Sequence, residues 1–99
     1  MAVQVMIPTR ELVEFCRRNA IRKLALFGSV LRDDFRPDSD VDVLVEFEPT
    51  AHIGWEFIDI QDELARLLAH DVDLHTPFTL SPHFRDEVLQ KAQVVYERA

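Results

Sequence analysis

The segment 41–47, "VDVLVEF", constrains the fold more than any other stretch of this chain because its side chains alternate with a period of two. That period is typical of a β-strand with one buried face, so the three valines are expected to point into the core. Asp42, Leu44 and Glu46 then lie on the opposite face. Asp40 stands two residues before Asp42 and shares that face, which predicts two neighbouring carboxylates at the start of the strand.

A Gly-Ser pair precedes this strand. Gly28 and Ser29 follow the apolar run "KLALF", which indicates a buried strand. If the two strands are antiparallel neighbours, the end of one lies beside the start of the other, and Gly28 and Ser29 lie next to Asp40 and Asp42. Glycine lets a phosphate approach the backbone closely, and Ser29 offers a hydroxyl and an amide at the start of a predicted helix. This edge of the sheet could therefore hold an anion.

The rest of the chain predicts helices and further strands around this edge. Helices are expected over residues 9–20, 29–35 and 55–68, and another opens at Ser81-Pro82. Thr9 is the expected N-cap of the first helix and Asn19 its stop. "DVDLHT" predicts a third strand, and "QVVYE" is either a last strand or a frayed helix end. This order predicts the α/β (α+β) class, a small mixed sheet with helices packed against it.

Composition predicts one soluble domain over residues 1–99. The chain is 47% hydrophobic and 29% charged, and no apolar run approaches the roughly 20 residues of a membrane span. No signal peptide is evident, and the single Cys16 cannot form an internal disulfide, which favours a cytoplasmic location. The net charge of -7 argues against direct binding of nucleic acid.

A third carboxylate, Asp73, lies on the polar face of the predicted strand "DVDLHT". Carboxylates that share one face repel each other, so they take up protons or bind a cation. Mg²⁺ is commonly held by one or two carboxylates together with substrate phosphates. Asp73 could complete a two-metal site with Asp40 and Asp42 and accept the proton of an attacking hydroxyl. His75 shares this face, and the simplest expectation for it is a surface histidine.

These residues together form a nameable pattern. Gly28-Ser29, the ten residues 30–39 and then Asp40-x-Asp42 resemble the signature of the DNA polymerase β-like nucleotidyltransferase superfamily. Arg32, the stretch "RPDSDVDVLVEF", Asp73 within "VDL" and the ending "SPHFRDEVLQKAQVVYE" extend the resemblance to the minimal nucleotidyltransferase (MNT) family over essentially the whole chain. The resemblance implies the polymerase β-like nucleotidyltransferase fold.

The resemblance also implies an activity and roles for particular residues. Members of the family transfer a nucleoside monophosphate from ATP or another nucleotide to a hydroxyl, with Mg²⁺, and release pyrophosphate. By position, the catalytic residues and ligands of a pair of Mg²⁺ ions would be Asp40, Asp42 and Asp73. The nucleotide-binding residues would be Gly28, Ser29, Arg32 and Ser39, with Arg36 as a further candidate. Asp33 and Asp34 follow Arg32, where many relatives have glycine, and they add negative charge near the expected triphosphate.

The family resemblance also implies a protein partner. MNT proteins are often antitoxins that transfer AMP to a tyrosine of a HEPN-domain ribonuclease toxin. We therefore expect a protein adenylyltransferase that acts as the antitoxin of a type VII-like pair, in a hetero-oligomer with its cognate toxin. Two alternatives remain, an antitoxin that neutralises by binding alone and a nucleotidyltransferase for a small molecule. The loop "EPTAHIGW" is a candidate contact, although Trp55 is expected to anchor its helix to the core.

Overall fold

The computed structural model describes residues 7–31, 35–36, 38–83 and 85–98. The element order matches the sequence prediction, and the "QVVYE" tail is a strand. The elements are α1 (Thr9–Arg18), β1 (Ile21–Phe27), a 3₁₀ helix (Gly28–Leu31), β2 (Val41–Phe47), α2 (Glu56–Leu68), β3 (Val72–His75), α3 (Arg85–Lys91) and β4 (Gln93–Glu97). Among these described segments, no helix is long and apolar enough to cross a membrane.

The strands form one mixed sheet in the order β3-β2-β1-β4. Strand β1 is antiparallel to both β2 and β4, whereas β2 and β3 are parallel. A parallel pair needs a long crossover connection, which α2 supplies between β2 and β3. The predicted fold class, a small mixed sheet with helices packed on it, is confirmed.

The main core lies between one face of the sheet and helices α1 and α2. It contains the three valines of β2, each 0% exposed, together with Phe15 of α1 and Leu64 of α2. The alternation in 41–47 therefore predicted the inward face of β2 correctly. A smaller cluster lies on the opposite face, where Ala25 and Leu44 pack with Leu80 and are covered by side chains of the α3 region.

One helix start differs from the sequence predictions. Thr9 is the first residue of α1 rather than its N-cap; Pro8 occupies the cap position, and no side chain caps it. Ser81 makes the contacts of the predicted cap before α3: its Oγ accepts a hydrogen bond from the His83 N–H at 3.3 Å, and its carbonyl accepts one from the Arg85 N–H at 3.0 Å. Asn19 does end α1, and its side-chain amide donates to the Phe15 carbonyl at 2.9 Å.

The expectation that Trp55 anchors α2 to the core is wrong, because its side chain is 89% exposed. The inward stripe of α2 begins at Phe57, whose ring meets Phe47 edge-on with centroids 6.5 Å apart. Trp55 lies two residues earlier and therefore points away from the sheet. Ile58 and Phe78 are also exposed apolar side chains.

Candidate active site

Strand register brings two of the predicted carboxylates together. Asp42 on β2 pairs with Phe27 on antiparallel β1 and with Asp73 on parallel β3. Side chains paired in register lie on the same face of a sheet, so these three residues form one row across three strands. The predicted antiparallel pairing of β1 with β2 is confirmed, and it places Gly28 beside Asp42.

Gly28 touches the Asp42 carboxylate so closely that no side chain fits. Its φ is +79°, in the region that favours glycine. A Cβ atom added there would lie closer than 3.0 Å to Asp42 Oδ2 and 3.3 Å from Asp42 Cγ. From the sequence we expected Gly28 to leave space for a phosphate. In this structure the group that lies against its backbone is the Asp42 carboxylate.

His75 is part of the site, contrary to the expectation of an ordinary surface histidine. Its Nε2 lies 3.1 Å from Asp73 Oδ2 and 4.0 Å from Asp42 Oδ1, and its side chain is 27% exposed. The Phe27 ring meets the imidazole edge-on with centroids 5.5 Å apart, which limits the orientation of the imidazole. The signal in the sequence was the two-residue spacing from Asp73, which puts His75 on the same face of β3.

The donor atoms fit a divalent cation. One ligand atom from each of Asp42, Asp73 and His75 can be chosen so that all three lie within 4.8 Å of one another. Carboxylate oxygens are the ligands that Mg²⁺ prefers, and one or two of them with substrate phosphates are a common Mg²⁺ site. Asp42 and Asp73 would therefore hold the ion that the sequence predicts.

Asp40 lies beside this group but not within it. It is exposed and immediately precedes β2, whose strand pairing begins at Val41, so the pleat does not hold it in line with Asp42. Asp40 and Asp73 both line a surface depression of about 460 Å³. Further carboxylates in its lining are Asp62 and Asp71. The role of Asp40 as a metal ligand stays a prediction.

The predicted nucleotide-binding residues lie in the connection between β1 and β2. Ser29 follows Gly28 within the 3₁₀ helix and is half-buried. Ser39 closes a local turn, with its Oγ accepting from the Arg36 N–H at 3.1 Å and its own N–H donating to the Arg36 carbonyl at 2.9 Å. Arg36 is exposed. Arg32 lies outside the described residues, as do Asp33 and Asp34, and the nucleotide-binding roles stay predictions.

The depression beside Asp40 and Asp73 is smaller than another concavity of the molecule. A larger concavity, of about 860 Å³, lies between α1 and β4 and is lined by residues such as Val13, Tyr96 and Arg98. It contains none of the carboxylates predicted to act in catalysis. We therefore place the candidate chemistry at the open row of Asp42 and Asp73, and not in the more voluminous concavity.

Comparison with known proteins assigns the chain to a family. Residues 9–95 match the family described as "Nucleotidyltransferase domain". The chain is 36% identical over 83 residues to the protein adenylyltransferase MntA of Thermococcus cleftensis, covering 84% of this chain and 81% of that protein. The chain therefore belongs to the nucleotidyltransferase domain family and is a nucleotidyltransferase.

Solved structures indicate which kind of nucleotidyltransferase the chain resembles. A proposed minimal nucleotidyltransferase superposes with a TM-score of 0.69 at 32% identity, covering 85% of each chain. A complex of tri-AMPylated Shewanella oneidensis HEPN toxin with its MNT antitoxin gives a TM-score of 0.64 at 21% identity, covering 91% of this chain and 70% of that one. Within the nucleotidyltransferases, the chain is a member of the minimal nucleotidyltransferase family, as its sequence pattern predicted.

Proposed function

We propose that this chain is a Mg²⁺-dependent protein adenylyltransferase that transfers AMP from ATP to a tyrosine hydroxyl of a cognate HEPN ribonuclease toxin, and so acts as its antitoxin in the cytoplasm. The observation that carries the proposal is the register pairing of Asp42 with Asp73 beside Gly28. The relationship to MntA, a protein adenylyltransferase, supports a protein acceptor.

The proposed reaction assigns a task to each carboxylate. The acceptor oxygen attacks the α-phosphorus of ATP, the bond from that phosphorus to the bridging oxygen breaks, and pyrophosphate leaves. Asp73 accepts the proton of the hydroxyl, and Asp40, Asp42 and Asp73 would hold the divalent ions. Bound divalent ions would neutralise charge on the phosphates and favour the attacking oxygen as an anion. The triphosphate is contacted by Gly28, Ser29, Arg32 and Ser39.

The openness of the site supports an acceptor on another chain. Ligand pockets usually bury most of their ligand in a walled cleft, whereas the depression of about 460 Å³ beside Asp40 and Asp73 is open to solvent and is not lined by Asp42. A toxin docked over it would supply the missing wall together with the hydroxyl. The net charge of -7 would also steer a basic, RNA-binding partner towards this chain.

Exposed apolar side chains offer a contact for such a partner. Trp55 is 89% exposed and Ile58, one helical turn further along, is 56% exposed. Large aromatic side chains are enriched among the residues that dominate binding energy at interfaces. We assign the start of α2 to the toxin interface, which extends the candidate loop "EPTAHIGW" into the helix. Neutralisation by binding alone is the second candidate, and the exposure of Trp55 is the observation that favours it.

The test takes any HEPN-domain protein whose gene adjoins the gene of this chain and measures its intact mass after incubation with the chain, ATP and Mg²⁺. We expect mass increments of AMP with the wild type and none with Asp42→Asn or Asp73→Asn. Glu14→Gln is the matched control, because Glu14 is an exposed carboxylate on α1, outside both the carboxylate row and the start of α2, and it should transfer AMP at the wild-type rate.

The same assay separates the two candidates. If no increment forms but a stable complex does, neutralisation is by binding alone and the adenylyltransferase proposal is wrong. In that case Trp55→Ala should weaken neutralisation while Asp42→Asn leaves it intact. If the toxin is modified, Asp42→Asn should abolish modification, and Trp55→Ala should lower its rate at limiting toxin concentration.

A further inference from the structure

We propose that His75 supplies a nitrogen ligand to the divalent ion held by Asp42 and Asp73. The site would then bind Co²⁺ and similar imidazole-binding ions more tightly, relative to Mg²⁺, than carboxylates alone would. The inference rests on the proposed function, because it concerns the same metal site. It adds a residue that neither the Gly-Ser and Asp-x-Asp pattern nor the Asp73 motif contains.

The distances around His75 match those between ligands of one ion. Bonds from a divalent ion to imidazole nitrogen or carboxylate oxygen are about 2.0–2.2 Å, so two ligands of one ion lie at most about 4.4 Å apart. His75 Nε2 lies 3.1 Å from Asp73 Oδ2 and 4.0 Å from Asp42 Oδ1. An ion could therefore reach Nε2 and both carboxylates without movement of the strands.

The surroundings hold Nε2 on this side of the site. Asp73 and His75 flank Leu74, whose N–H donates to Gln61 Oε1 of α2 at 3.1 Å and so secures the outer edge of β3. The register partner of His75 on β2 is the buried Leu44, which offers no polar group to draw the imidazole away. With Phe27 against the ring, the imidazole is directed along the sheet towards the two carboxylates.

The chemistry of the ligand set predicts a change in metal preference. Carboxylates suit Mg²⁺ and Mn²⁺, whereas imidazole suits ions later in the first transition row. For a given nitrogen-containing site, affinity rises from Mn²⁺ through Co²⁺ to Ni²⁺, while Mg²⁺ gains little from nitrogen. A nitrogen ligand at His75 should therefore strengthen Co²⁺ binding selectively.

The experiment is a titration of the full chain, without nucleotide, by Co²⁺, with Mg²⁺ as a competitor. Calorimetry and the visible absorption of bound Co²⁺ are the readouts, and neither depends on AMP transfer. We expect His75→Asn and His75→Gln to weaken Co²⁺ binding by at least about 10-fold and to alter its absorption bands. The competing affinity for Mg²⁺ should change by less than about 3-fold, because oxygen ligands suit that ion.

The matched control is His52→Asn, since His52 is an exposed histidine in the loop beyond the far end of β2. It should bind both ions as the wild type does. Equal losses of Co²⁺ and Mg²⁺ affinity in the His75 variants would show that His75 only positions Asp73, and unchanged Co²⁺ binding would show that it does not contact the ion. Either result overturns the inference.

The inference and the proposed function can fail separately. A wild-type chain that binds Co²⁺ through His75 but transfers no AMP would refute the adenylyltransferase and keep the ligand assignment. AMP transfer by a chain whose ratio of Co²⁺ to Mg²⁺ affinity is unchanged in His75→Asn would keep the enzyme and remove the assignment.

Discussion

Gly28→Ala should displace the Asp42 carboxylate while lowering the stability of the fold only slightly. The substitution adds one methyl group and no charge. Because Gly28 has a φ of +79°, any L residue there is strained, by about 1–2 kcal/mol. The new Cβ would also lie closer than 3.0 Å to Asp42 Oδ2, whereas ordinary contacts begin at 3.4 Å.

The carboxylate must therefore move, and the structure limits where it can go. Asp42 is fixed at its backbone by pairing with β1 on one side and β3 on the other. Rotation of its side chain away from Gly28 is then the cheapest response, and it breaks the alignment with Asp73. A misplacement on the order of 1 Å costs about 100-fold in rate. We expect AMP transfer to fall about 100-fold, while the free energy of unfolding falls by only about 1–2 kcal/mol.

The assay is a time course of toxin modification by intact mass, with chemical denaturation of each variant in parallel. Gly54→Ala is the matched control, because a Cβ there meets only Glu56 Oε2, at an ordinary 3.6 Å. At saturating toxin, where a change at the proposed interface does not limit the rate, it should transfer AMP normally. We expect activity to need the Asp42 carboxylate in the space that Gly28 leaves for it. A rate of AMP transfer by Gly28→Ala within about 3-fold of the wild-type rate would refute this expectation, and so would an equal loss of rate in Gly54→Ala.

Two further predictions concern the core. Burial raises the pKa of the Cys16 thiol from 9.0 to about 12. As pH rises, the unfolded chain therefore loses this proton before the folded chain does. The free energy of unfolding should fall as pH rises from 9 towards 12. The contribution of Cys16 to the slope is at most about 1.4 kcal/mol per pH unit, and urea titrations across that range should show it as the difference between the wild type and Cys16→Ala. Leu64→Ala, at a side chain 0% exposed, should lower the free energy of unfolding by about 2–5 kcal/mol. Leu89→Ala, at a side chain 43% exposed, should lower it by less than about 1 kcal/mol, and similar losses in both variants by thermal or urea unfolding would contradict this account of the core.

Periodicity predicted the elements that carry the site. The period of two in 41–47 required the valines to point one way and Asp42 the other, because no other side-chain arrangement buries a continuous apolar face. The same argument placed Asp73 on the polar face of β3. The position of Gly28 was predicted only on the condition that β1 and β2 are antiparallel neighbours, and the structure meets that condition.

Features that depend on competition between neighbours could not be predicted in this way. Trp55 and Phe57 both lie near the start of α2, and only the packing of Phe57 against Phe47 decides which of them is buried. His75 shares a face with Asp73 in any strand, but its distance to Asp42 depends on the register of a parallel pair whose strands are separated by a whole helix. Pattern alone contains no information about that register.

The strand register also places two like charges where the stability of the sheet alone would not favour them. Like charges directly opposite each other on neighbouring strands destabilise a sheet, and Asp42 and Asp73 occupy such positions. Gly28 adds a left-handed backbone pressed against one of these carboxylates. Arrangements of this kind persist where the surrounding structure over-determines them, and here the buried valines on the other face of β2 hold the strand in place. A cation between the carboxylates would reduce this repulsion, as a protonated His75 would, so the pairing suits the metal site that we propose.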